Sequence, residues 1–171
     1  ADHITGSDTI RSKTSAKVVY GSKTGVKGAD IYLNDGEVLN LGNHNIKTIH
    51  TPGHTSGCTS YYIKGYIFTG DTLFIDGTGR TDFQGGSSRD TYDSVTQKIF
   101  KFPDDTVVYP CHNYNGFTCS TIAEEKKSNP NVGLHITKEN FILNESKKER
   151  PYPKRFDIAV PANMKCGKMD N

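Results

Sequence analysis

The sequence predicts a layered α/β domain with a metal-type site at one edge of its sheets. Three observations predict it. Short runs of β-branched and aromatic residues crowd the first two thirds of the chain. Helical periodicity appears only after them, and strands inside with helices outside is the layering this order favours. Finally, His or Asp follows the ends of several strand-like runs, which is how a rigid scaffold presents reactive groups on loops.

Taken in order, the polar stretch from Gly6 to Ser15 predicts a short helix after His3. Strands are predicted at Ala16–Tyr20, Asp30–Leu33, Glu37–Leu41, Asn45–His50, Thr59–Ile63, Tyr66–Thr69 and Thr106–Pro110. Asn34-Asp35-Gly36 and Lys64-Gly65 read as hairpin turns between neighbouring runs. Tyr92, Val95, Ile99 and Phe102 fall at i, i+3, i+7 and i+10, one face of a helix that ends before Pro103. Ser88 or Asp90 is its expected cap. A second helix is expected from Thr118 to Ser128, stopped by Asn129-Pro130, and a third opens at Thr137.

Composition narrows the function classes. The 171 residues suit one domain, residues 1–171, large enough to hide roughly 70% of its unfolded surface. Twenty-one basic residues against nineteen acidic ones give a net charge of +2, which argues for neither nucleic acid nor a membrane surface. No apolar run approaches the ~20 residues of a membrane span. The basic excess gathers at Lys147-Lys148-Glu149-Arg150 and Lys154-Arg155, read as a solvated run first and an anion-binding rim second. Cys58, Cys111, Cys119 and Cys166 form no C-x-x-C pair, so neither a disulfide framework nor a structural zinc site is indicated.

The ligand-type residues are Asp2-His3, His54 after Thr51-Pro52-Gly53, Asp71 after Gly70, and His112 after Tyr109-Pro110-Cys111. Imidazole with carboxylate suits zinc or iron, and two His with one carboxylate suits non-haem Fe(II). Singly, each has a plainer reading: Asp71 as a turn cap, and His44, His50 and His135 as ordinary strand, loop or surface residues.

The words around them narrow the choice. Asp2-His3, Thr51-Pro52-Gly53-His54-Thr55-Ser56-Gly57-Cys58, Phe68-Thr69-Gly70-Asp71-Thr72-Leu73 and Tyr109-Pro110-Cys111-His112 resemble the metallo-β-lactamase superfamily. Gly79-Arg80-Thr81-Asp82-Phe83-Gln84, His112–Thr118 and Asp157–Gly167 resemble, more narrowly, the persulfide dioxygenases of the ethylmalonic encephalopathy protein type. That resemblance implies an αββα sandwich binding one Fe(II) and converting glutathione persulfide, O2 and water to glutathione and sulfite. It implies His54 and Asp71 as iron ligands. It places the third, a His, four residues ahead of Asp2, upstream of Ala1, together with strands of the first sheet. On that basis the chain by itself is expected to hold metal weakly and to leave a sheet edge open.

Asp2, His3, Asp71 and His112 match the second metal position of the zinc-hydrolase relatives, so a zinc there is the alternative. Arg80 is expected either to clamp a glutathione carboxylate or to pair with Asp82 or Asp76. Tyr114 is expected either to donate toward substrate or only to pack, and Asn163 and Cys166 to line a glutathione pocket. Asn113 stands where the resemblance calls for Asp, a change in charge beside His112. The competing functions are a glyoxalase II-like zinc thioesterase acting on S-acylglutathione and a catalytically incomplete fragment. A homodimer and, in a eukaryote, a mitochondrial address (otherwise cytoplasmic) are implied by resemblance alone.

Overall fold

The computed structural model describes residues 3–169. Its main sheet has six strands in the order β3-β4-β5-β6-β7-β8: Val38–Leu41, His44–His50, Thr59–Ile63, Tyr66–Gly70, Val107–Pro110 and Ser120–Thr121. Neighbours run antiparallel except β6 and β7, which pair in parallel. The parallel step needs a crossover, supplied by the long connection that carries the helix Ser88–Asp93. Strands β1 (Val19–Gly21) and β2 (Ile31–Leu33) form a separate parallel pair.

Alternation along β6 decides which face is core. Ile67 and Thr69 are buried, whereas Tyr66 and Phe68 are exposed on the opposite face. Ile67, Ile49 and Val108 meet Val95, Ile99, Phe100, Ile122, Val132 and Phe141 in one apolar cluster. Val95 and Ile99 are fully buried and Tyr92 and Phe102 pack against that cluster, as the helical spacing requires.

Helix α1 (Ser7–Lys13) precedes β1. Helix α2 (Ser88–Asp93) continues through a π turn (Ser94–Lys98) and a 3-10 turn (Ile99–Lys101). Its cap is Ser87, whose hydroxyl accepts the Asp90 amide at 3.2 Å, one residue earlier than expected. Helix α3 spans only Ile122–Ser128, not Thr118–Ser128: Ser120 and Thr121 pair with β7 first. Thr121 and Glu124 then close a reciprocal capping box. Helix α4 (Lys138–Ser146) starts under the Thr137 cap. Helix α5 (Phe156–Asn163) was not legible, because Pro161 lies inside it.

Two further differences concern the early strands. The expected Ala16–Tyr20 strand begins at Val19 and ends at Gly21. Asn34-Asp35-Gly36 is not a hairpin within one sheet. It carries the chain from β2, paired with β1, into β3, paired with β4. The turn chemistry was read correctly and the partner was not, because pairing depends on which distant strand is available.

Candidate metal centre and cleft

His54 is held by a loop with little freedom. After β4 ends at His50, the buried Thr51 hydroxyl meets Ser60 at 2.9 Å and Thr72 at 3.2 Å. Ser94 donates to the Pro52 carbonyl at 2.7 Å, so the π turn sits against the loop. Gly53 has φ 149°, and a Cβ there would lie 2.1 Å from the Thr91 hydroxyl. Only glycine allows that approach.

The imidazole of His54 is oriented from behind. Its Nδ1 lies 2.7 Å from the Arg80 carbonyl oxygen. A carbonyl only accepts, so Nδ1–H donates and Nε2 presents its lone pair to the cleft in the neutral ring. Nε2 faces Asp71 Oδ2 at 3.8 Å. Asp71 follows β6, and its carbonyl accepts the Gly79 amide at 3.1 Å. His112, delivered by β7, brings Nε2 to 3.3 Å from the other oxygen, Asp71 Oδ1. Phe74 meets the His112 ring edge-on at 5.8 Å, and Tyr114 stacks on it at 6.1 Å.

Three of the expected ligand-type residues therefore come together. His3 stands beside them, its ring centroid 6.0 Å from that of His112. Asp2 lies outside the described residues. The donors do not converge on one point, since His54 faces one carboxylate oxygen and His112 the other. Among the described residues, no group of three or more His, Cys, Asp or Glu side chains is arranged to hold a metal ion. The described residues thus do not fit a complete two-His, one-carboxylate iron centre, which needs three donors on one face of the metal.

A cleft of about 560 Å³ opens over these residues. Its floor is the loop from Phe74 to Arg80, and Tyr114, Arg150 and Pro153 form the rim. Arg80 is spent on structure. Its guanidinium grips Asp82 through Nε and Nη2 at 2.7 and 2.8 Å, donates to the Pro151 carbonyl at 3.0 Å and lies over the Phe83 ring. That fork holds the Asp82 carboxyl below the usual carboxylate range. Tyr114 is largely exposed, with its ring over His112.

Asn163 and Cys166 do not line this cleft. Asn163 accepts the Thr5 amide at 2.8 Å and donates to the His3 carbonyl at 3.0 Å, tying α5 to the start of the described chain. Cys166 is buried, with Sγ 3.4 Å from the Lys27 carbonyl. The C-terminal word is therefore used here in packing. Asn113 accepts the Asn115 and Phe117 amides at 2.9 and 2.8 Å, a turn an Asp would make equally well, so the substitution changes charge and not this loop. Arg150, from the basic run read as a solvated stretch first and an anion-binding rim second, lines the cleft, and Glu145 anchors it at 2.9 Å.

Comparison with known proteins identifies the family. Residues 1–112 match the metallo-beta-lactamase superfamily. The chain belongs to that superfamily. It is 42% identical over 169 residues to the human persulfide dioxygenase ETHE1, mitochondrial, covering 98% of this chain and 66% of that protein. It is 44% identical to the crystal structure of ETHE1 from Myxococcus xanthus, with a TM-score of 0.94, covering 98% of this chain and 74% of that one. A hydroxyacylglutathione hydrolase of Pectobacterium atrosepticum is 31% identical, covering 99% of this chain and 66% of that protein. Within the superfamily the strong homology is thus to persulfide dioxygenases of the ETHE1 type. The chain spans about two thirds of the length of these curated relatives.

Proposed function

We propose that this chain supplies the substrate cleft and two metal donors, His54 and Asp71, of an iron-dependent dioxygenase acting on glutathione persulfide. We propose further that the 171 residues on their own are catalytically incomplete. The observation that carries both statements is the His54 imidazole. Its Nδ1 is fixed on the Arg80 carbonyl and its Nε2 is aimed at Asp71, yet no third described donor joins them. Two facing acceptors, a lone pair and a carboxylate, form a stable arrangement when a cation lies between them. Two protein donors hold such a cation weakly, and a third is what makes the site selective and occupied.

The residues of the cleft have roles that do not depend on the metal. The Arg80–Asp82 pair ties the floor loop to the segment at Pro151 and so shapes one wall. Arg150 offers the rim a cation for a carboxylate of glutathione. Tyr114 offers a hydroxyl and an aromatic face beside His112. In a eukaryote the human relative's name supports a mitochondrial setting. No helix among the described residues is long and apolar enough to cross a membrane.

One observation favours a second reading. Asp71 stands between His54 and His112, each facing a different carboxylate oxygen, so the three residues would offer donors to zinc as well as to iron, and zinc would supply an activated water for thioester hydrolysis.

The test is to purify the 171-residue chain, and a version extended to place a His four residues ahead of Asp2. Bound metal and O2 uptake with glutathione persulfide are measured on both. Substoichiometric iron and no uptake for the chain, with about one iron and uptake for the extended form, is the expected result. Two zincs with S-acylglutathione hydrolysis would select the second reading. Full iron and O2 uptake from the 171 residues alone would refute incompleteness.

A further inference from the structure

We infer that Glu125 and Asn129, buried behind the cleft floor, are positioning residues that set the conformation of the floor loop and, through it, of His54. They touch neither His54 nor the cleft. Glu125 sits on α3 with 1% of its surface exposed, and Asn129 follows the helix with none.

The floor loop needs holding. Phe74 and Gly77 close a tight bridge, with amide-to-carbonyl distances of 2.9 and 3.4 Å. Between them Asp76 takes φ 56°, a left-handed conformation that is unfavourable for a non-glycine residue. Such a conformation persists only where the surroundings over-determine it. Here Glu125 Oε2 accepts the Asp76 amide at 3.2 Å. Asn129 Nδ2 donates to the Gly77 and Phe74 carbonyls at 3.2 and 3.4 Å, and to Glu125 Oε2 at 2.6 Å. Asn129 is itself fixed, because its Oδ1 accepts the Asn131 and Val132 amides at 3.0 and 3.1 Å.

The other end of the same loop reaches the site. Gly79 donates to the Asp71 carbonyl and the Arg80 carbonyl takes the His54 Nδ1–H. The contacts therefore run without a gap from α3 through residues 74–80 to the His54 ring. A carboxyl group in this apolar setting is costly, and burial pushes its pKa up. An apolar side chain would avoid that cost, but it would take away the acceptor of the Asp76 amide and one of the three acceptors that fix the Asn129 amide group.

The experiment is amide hydrogen exchange on the 171-residue chain and on Glu125→Met and Glu125→Gln, with a metal-free glutathione titration by NMR. Methionine keeps the volume and removes the acceptor; glutamine keeps an acceptor. In the wild-type chain the Asp76 amide should be protected although it lies in a loop. In Glu125→Met the Asp76, Gly77 and Gly79 amides should exchange about tenfold faster. The β4 and β5 amides should be unchanged, and glutathione should bind more weakly. Glu125→Gln should restore both. Exchange of the wild-type Asp76 amide at free-loop rates overturns the inference without any variant. So does an unchanged loop in Glu125→Met, or acceleration that spreads equally to β4 and β5. Only the glutathione readout rests on the functional reading above: a wild-type chain that ignores glutathione but shows the loop pattern sinks that reading and leaves the clamp standing.

Discussion

Replacing Gly79 by alanine should strike the site at its tightest point. A Cβ there would lie 2.1 Å from the Asp71 carbonyl oxygen and 3.0 Å from His54 Nδ1. An ordinary carbon–oxygen contact is about 3.4 Å, so the two backbone segments must part by about 1 Å. That separation loses the 3.1 Å bond from Gly79 to Asp71 and strains the 2.7 Å bond from His54 to Arg80. Each is worth about 1 kcal/mol, and the steric misfit adds roughly 1–3 kcal/mol. A loss of about 3 kcal/mol is expected, with Tm falling by about 8 °C for a chain of this size. The assay is urea unfolding with an unchanged slope. Gly116→Ala is the comparison, since nothing lies within 4 Å of its Cβ position and only its φ of 85° is at issue. That variant should lose about 1 kcal/mol. If Gly79→Ala loses less than Gly116→Ala, the argument that the floor loop is pressed against Asp71 and His54 is wrong.

Three other outcomes follow from the same structure. Phe141→Ala, at a position 1% exposed in the core cluster, should cost about 3–5 kcal/mol in urea unfolding, and a loss under about 1 kcal/mol would misplace the core. Asp82 should make the fold acid-sensitive. Its folded pKa is lowered by the Arg80 fork, so the unfolded chain takes the proton first. The contribution is then full above the unfolded carboxylate range of about 4 and is lost as pH falls through the folded value. Stability measured from pH 5 downward should therefore fall less steeply in Asp82→Asn, and an identical slope would discount the pair. Cys119 is exposed, whereas burial raises the thiol pKa of Cys58 and Cys166. Iodoacetamide at neutral pH, followed by peptide mass mapping, should label Cys119 well before those two, and the reverse order would contradict their burial.

Most strand runs, the helix face at Tyr92, Val95, Ile99 and Phe102, and the placing of His54, Asp71 and His112 after strand ends are legible along the chain; the short strand Ser120–Thr121, expected as helix, is not. Each rests on periodicity or on a residue adjoining a turn, and those are local properties. What only the tertiary structure decided is long-range. It directed Asn34-Asp35-Gly36 from one sheet to another, and it paired Arg80 with Asp82 and the Pro151 carbonyl in place of a ligand. It turned Asn163 and Cys166 inward, brought Arg150 to the cleft, and set Glu125 and Asn129 behind the floor loop. The direction of a side chain and its partner depend on segments tens of residues away, which no local pattern encodes. The sequence by itself thus determined which residue types could carry the chemistry. Packing decided which of them face the cleft, which hold others in place, and that His54 and His112 address opposite oxygens of Asp71.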